Sequence, residues 1–101
     1  MNNYTVRVRP LASNELARHV EFLSRKSVAS ADKLIDDFVN LEVILSENPT
    51  LFPIFYKNFR KAIIEPRYAI LFEIESDIVF VDKILDARQL KYNNIILELG
   101  K

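Results

Sequence analysis

His19 is the chain's one histidine, and the sequence contains no cysteine. That removes the thiolate nucleophile, the disulfide framework and the Cys-based zinc site, and one imidazole cannot assemble a multi-histidine metal centre. No metal and no other cofactor is expected. A lone helix histidine is ordinarily a surface residue or a satisfied core residue. The basic side chains number fourteen against fourteen acidic ones, for a formal net charge of zero. Proteins that grip many phosphates usually carry a basic excess, because counterion release drives that affinity. Any nucleic-acid role must therefore rest on a local cluster, and no sequence-specific DNA binding is expected. One stretch offers a different chemistry: Phe52 to Tyr56 holds three aromatic rings. Exposed, they could stack on bases or anchor a partner; the ordinary reading folds them over the core.

The elements that must position these groups follow from hydrophobic periodicity. Tyr4 to Arg9 alternates Tyr4, Val6 and Val8 against Thr5, Arg7 and Arg9, the pattern of a strand with one wet face. From Leu11 to about Arg25, Ala12, Leu16, Val20 and Leu23 recur at helical spacing, starting either at Pro10 or at a Ser13 cap. Ser27 to Ser30 reads as a turn. A second helix over Ser30 to about Ser46 places Leu34, Ile35, Phe38, Leu41 and Leu45 on one stripe, with Asp32 in its first turn. Asn48-Pro49 stops it.

After the loop Thr50 to Asn58 come three extended runs, Phe59 to Ile64, Tyr68 to Ile74 and Ile78 to Leu85, separated by breaks short enough for antiparallel hairpins. Arg60 and Lys61 are adjacent on a strand, so they point to opposite faces and only one can line a shared pocket. The last two runs are nearly continuous apolar sequence and read as central strands. The tail from Asp86 to Lys101 fits either a strand or a short helix. At 101 residues this is one domain of the α+β class, able to bury roughly two-thirds of its unfolded surface. The order is β-α-α-β-β-β plus a C-terminal segment, with a two-helix hairpin packed on a small, mostly antiparallel sheet. The start lacks a signal-peptide pattern and no apolar stretch approaches the ~20 residues of a membrane span, so a cytoplasmic location is expected.

Particular residues fall on this order in a familiar way. Val6-Arg7-Val8-Arg9-Pro10-Leu11-Ala12 followed by Asn14-Glu15-Leu16, then Leu45-Ser46-Glu47-Asn48-Pro49 closing the hairpin, then Arg60-Lys61, Arg67-Tyr68-Ala69-Ile70-Leu71-Phe72-Glu73-Ile74 and Ile84-Leu85-Asp86-Ala87-Arg88-Gln89, resemble the RelE/ParE toxins of bacterial type II toxin–antitoxin pairs. The likeness covers roughly residues 4 to 92. The Asp-Ala-Arg-Gln ending is more similar to the ParE, or plasmid-stabilisation, branch.

The resemblance implies three readings. A ParE-like chain poisons DNA gyrase by binding and needs no chemistry of its own. A RelE-like chain cuts messenger RNA on the ribosome, where fixed positive charge would stabilise a phosphorane and neighbouring groups would move protons. In that case Arg60, Arg67, Arg88 and Tyr92 are the matching catalytic candidates, and a carboxylate base would have to be Glu65 or Glu73 with a raised pKa. A third reading is a non-toxic relative kept as an interaction module. In each, Lys61, Tyr68, Phe55 and Tyr56 would meet a target or antitoxin. The family's antitoxins fold on binding, covering apolar helix grooves or adding a strand to a sheet edge. The apolar strands at Ile70 to Phe72 and Ile78 to Val81 are expected to gain from such cover.

Overall fold

The computed structural model describes residues 3–64 and 66–87. It contains β1 (Thr5–Val8), α1 (Pro10–Ser24), α2 (Val28–Glu47), a 3₁₀ turn (Pro49–Leu51), β2 (Ile54–Tyr56), β3 (Phe59–Ile64), β4 (Tyr68–Glu75) and β5 (Ile78–Asp86). The strands form one mixed sheet in the order β1-β5-β4-β3-β2. β1 lies parallel to β5 and every other pair is antiparallel. The α+β class, the helical hairpin and the three principal strands are as the periodicity requires. The tail expectation falls on residues beyond Ala87, outside the described ones.

α1 starts at Pro10, where the missing N–H costs nothing. Ser13 is not a cap; its N–H already bonds to Arg9 O at 3.0 Å. α2 begins two residues earlier than its periodicity suggested, because Ser27 caps it by accepting from Ser30 N–H. That places Asp32 beyond the first turn, so the expected dipole contact is absent. Ile35 also departs from its expected place. It is 42% exposed, while Leu34, Phe38, Leu41 and Leu45 face the sheet.

The core is a single apolar layer. Ala12 and Leu23 of α1 and Ala31, Leu34, Phe38, Leu41 and Leu45 of α2 pack on Ala62, Ile64, Tyr68, Ile70, Phe72, Val79, Val81 and Ile84. Phe72, Ile70, Val79, Val81 and Ile84 are fully buried. The expectation that Ile70–Phe72 and Ile78–Val81 would gain cover from a partner is corrected for most of these residues: the fold itself buries Ile70, Leu71, Phe72, Val79 and Val81, and leaves Ile78 and Phe80 partly exposed. The loop after Pro49 also contains a strand the pattern did not show, β2, joined to β3 through Lys57 with φ 50°. The β4–β5 hairpin turns through Ser76 with φ 54°. The chain's one glycine lies elsewhere, so both turns place an ordinary residue in the left-handed region, at a cost of about 1 kcal/mol each.

Candidate functional site

Arg60 and Arg67 lie toward opposite ends of the β3–β4 ladder. Arg60 pairs with Phe72, whereas Arg67 precedes Tyr68, which pairs with Ile64. An offset of five residues along the strands separates these positions, roughly 17 Å. Arg60 donates from its guanidinium to Phe52 O at 2.7 Å. Arg67 Nε lies 3.5 Å from Asp86 Oδ2, a charge contact whose geometry makes no hydrogen bond, and that nitrogen is buried without an acceptor. The two arginines do not share a pocket. The strand register holds these two catalytic candidates apart, and the other two, Arg88 and Tyr92, lie outside the described residues.

Lys61 points to the opposite face from Arg60, as alternation requires, and its ammonium sits 5.1 Å from the Phe55 ring centroid. Lys57 sits likewise 5.3 Å from Tyr56. The β2–β3 hairpin thus carries two cation–aromatic pairs on half-buried rings. Phe52 folds edge-on against Phe72 at 5.8 Å, the ordinary core reading for that ring. The exposed apolar side chains nearby are Leu51 at 71% and Ile54 at 61%. Tyr68 is corrected as a surface contact: it is 3% exposed, with its ring 5.1 Å from His19.

His19 itself is satisfied. β1 ends at Val8, so among the described residues no strand lies beyond Val81 on that side of β5, and α1 takes its place. Glu15 Oε1 accepts from Ile84 N–H at 2.9 Å, and His19 Nε2 lies 2.9 Å from Ile84 O. These residues sit one helical turn apart, so they read the N–H and the C=O of one strand residue. The other oxygen of Glu15 lies 3.5 Å from the buried Lys83 ammonium. Spacing of Glu15 and His19 on one α1 face was visible in the sequence; the strand edge they cap was not.

A charged cluster that sequence reasoning missed lies on the sheet face away from the helices. The β4–β5 register passes from Phe72↔Val81 to Leu71↔Lys83, leaving Asp82 as the extra residue of a bulge. Arg9 Nε donates to Asp82 Oδ1 at 2.6 Å, with Glu73 and Glu75 oxygens at 3.7 and 3.9 Å. The same guanidinium stacks 4.3 Å from the Phe80 ring. Burial, and then the Glu73 carboxyl beside it, push the Asp82 carboxyl up from 3.8 to about 7, against the pull of Arg9. Ionised, Asp82 leaves Oδ2 buried without a hydrogen-bond partner, and a proton on Asp82 turns its carboxyl into a donor toward the neighbouring Glu73. The one sequence signal was an acid interrupting the apolar run Ile78 to Leu85.

Two recesses flank α2. One, about 680 Å³, lies between Val39, Glu42 and Val43 and the outer edge of β1 at Asn3 to Val6. Burial raises the Glu42 carboxyl above its usual 4.5. Val28, Ile35, Val39 and Val43 expose 42–65% of their surface along α2. The other, about 410 Å³, lies at the hairpin end between Leu23, Ser30, Lys33, Leu34, Pro66, Arg67 and Tyr68. Among the described residues no cluster of three His, Asp or Glu side chains is placed to hold a metal, and no helix is long and apolar enough to cross a membrane.

No curated protein matches the sequence. A solved structure described as the chromosomal ParDE TA system from P. aeruginosa superposes with a TM-score of 0.70 over 83% of this chain and 96% of that one, at 13% identity. At that identity the likeness concerns the fold. The model of the ParE toxin of the type II toxin–antitoxin system, parDE, matches residues 6–91, which takes in both helices, four whole strands and all of β1 but Thr5. The chain belongs to the ParE toxin family.

Proposed function

We propose that this toxin acts by binding its target, DNA gyrase, without chemistry of its own, and that a cognate antitoxin holds it inactive. The observation that carries the choice of binding over catalysis is the separation of Arg60 from Arg67: one is tied to Phe52 O and the other sits by Asp86, roughly 17 Å of strand away. A phosphorane needs fixed charge and proton carriers around one point. Binding needs a surface instead. The β2–β3 hairpin, with Lys61 over Phe55 and Lys57 over Tyr56, is the proposed target contact, since aromatic and cationic anchors dominate such interfaces.

The antitoxin is assigned to α2 and the β1 edge. Among the described residues β1 has a strand neighbour on one side only, and beside it Val39 and Val43 are half exposed. A segment that folds on binding would extend the sheet at β1 and lay apolar side chains on α2. Induction should arrest growth, and coexpression of the small neighbouring reading frame should relieve it. Purified protein should inhibit gyrase supercoiling at micromolar concentration; undiminished supercoiling there sinks the gyrase assignment. Arg60→Ala and Arg67→Ala should leave growth arrest in place, whereas lost arrest together with lost cleavage of messages would turn the reading to a ribonuclease.

A further inference from the structure

The formal charge of zero is the sum of two unlike regions. Helix α2, Val28–Glu47, carries five acidic residues and one basic one, Lys33, which Asp37 one turn on already pairs. Between Glu47 and Glu65 the chain holds no acidic residue and three basic ones, Lys57, Arg60 and Lys61. That stretch is also rich in large apolar side chains, and the fold leaves several of them uncovered. Leu51 is 71% exposed, and Ile54, on the three-residue strand β2 at the end of the sheet order, is 61% exposed.

The three cations are not equally available. Arg60 is committed to Phe52 O. The Lys57 and Lys61 ammoniums lie against the Tyr56 and Phe55 rings, contacts that leave their N–H groups able to donate, and among the described residues neither has a carboxylate partner. A ring beside a lysine narrows the volume its long side chain sweeps, so less freedom is lost when an anion arrives. Three features select the kind of anion. Proteins that grip duplex DNA by its phosphates make about 6–10 such contacts, and two lysines fall far short. A polyanion running on past the hairpin meets the acids of α2, which joins β2 through the turn Pro49–Leu51. Leu51 and Ile54 are aliphatic, so they pack on apolar side chains and offer no ring for a base to stack on. A short acidic stretch of polypeptide, with apolar residues among its carboxylates, meets all three conditions.

We propose that the β2–β3 hairpin recognises an acidic polypeptide segment on the target protein: carboxylates of that segment pair with Lys57 and Lys61, and its aliphatic side chains cover Leu51 and Ile54. The assignment rests on the reading that this hairpin is the target contact, and adds the chemistry of what it meets there. The acids of α2 give the contact its direction. They repel the same segment, so the chain approaches its target with the hairpin leading.

Amide and methyl NMR of the whole chain tests this with acetyl-Glu-Leu-Glu-Ile-Glu-amide, the same peptide with glutamine at each glutamate, and a DNA duplex of about 20 base pairs. The acidic peptide should move the Leu51 and Ile54 methyl signals and the Lys57 and Lys61 amides saturably, with a Kd of about 0.1–1 mM at low salt. Its glutamine analogue should bind about tenfold more weakly, as should the acidic peptide in about 0.5 M salt or on the double variant Lys57→Gln, Lys61→Gln. Lys57→Glu changes only an exposed turn residue and should weaken the peptide as much, so the prediction stands even where the double variant unfolds. Lys26→Gln is the control: it removes the cation–aromatic pair with Phe22 at the end of α1 and should leave the affinity unchanged. Equal affinity for the two peptides, equal weakening by Lys26→Gln, or shifts centred away from the hairpin overturn the proposal. Tighter binding of the duplex at matched salt also overturns it, assigning the hairpin to nucleic acid. Gyrase supercoiling is scored separately. A chain that takes the acidic peptide at the hairpin without inhibiting gyrase supports this inference and refutes only the choice of target, whereas inhibition undiminished in Lys57→Glu refutes this inference alone.

Discussion

The two faces of the sheet are held by different physics. Against the helices, β3, β4 and β5 present Ala62, Ile64, Ile70, Phe72, Val79, Val81 and Ile84 to two apolar helix stripes, with no ionised group among them. Away from the helices, the β1 side of the same strands presents Arg9, Glu73, Glu75 and Asp82, tied by one guanidinium. Burial of apolar surface is non-directional and summed over many contacts. The charged cluster depends instead on one bulge that aims Asp82 and one edge strand that brings Arg9. The first kind of order tolerates small errors of register, and the second does not.

The sharpest way to break this contrast is to compare truncations on the two faces. Phe72→Ala removes a fully buried ring at the centre of the helix-packed face and should cost about 3–5 kcal/mol in urea unfolding. Phe80→Ala, on the half-buried opposite face, loses a partly covered ring and its stacked Arg9, for about 1 kcal/mol. Equal losses would mean that the second face is a core in its own right.

That asymmetry also decides what the sequence could reveal. Helix stripes and strand alternation are local patterns, so both helices and the three long strands were legible, including the opposite orientations of Arg60 and Lys61. The boundary errors at Ser27 and the missed β2 come from short-range bonds that hydrophobic period does not encode. Ile35 was misplaced because a stripe drawn over five apolar residues is wider than the face that the sheet covers. The candidate site fared worse for a different reason. Arg60 sits on β3 and Arg67 just before β4, and whether they meet depends on register, which five residues of offset settled against them. The Arg9–Asp82 pair is 73 residues apart in sequence and needed both the parallel β1–β5 pairing and the bulge.

At the edge where the two faces meet, Glu15 does the work of a missing strand. Glu15→Ala should cost about 2–4 kcal/mol, because it orphans the Ile84 N–H and takes a counter-charge from the buried Lys83. Glu15→Gln keeps an oxygen for Ile84 N–H and should recover more than half of that loss. If alanine and glutamine behave alike, the Lys83 contact and not the backbone cap holds the edge. Arg9→Ala should cost less, about 1 kcal/mol, since the guanidinium is 43% exposed and its pairs are screened by solvent.

The subtlest prediction concerns protons. The folded chain raises the Asp82 carboxyl to about 7, while the unfolded chain releases that proton near 3.8. Between those values the folded state binds more protons than the unfolded one, so the Asp82 contribution is greatest below about 3.8 and is lost as pH rises through about 7. Asp82→Asn carries no such titration and resembles the protonated side chain. The melting temperature of the variant relative to the natural protein should therefore climb between pH 5 and pH 8 and then level off. Arg9 opposes the raised value, so in an Arg9→Ala background the climb should continue to higher pH before it levels off; Glu73→Gln removes a raising group and should make it level off at lower pH. A difference that stays flat across this range would show Asp82 ionised throughout, and would reduce the second face to an ordinary set of surface ion pairs.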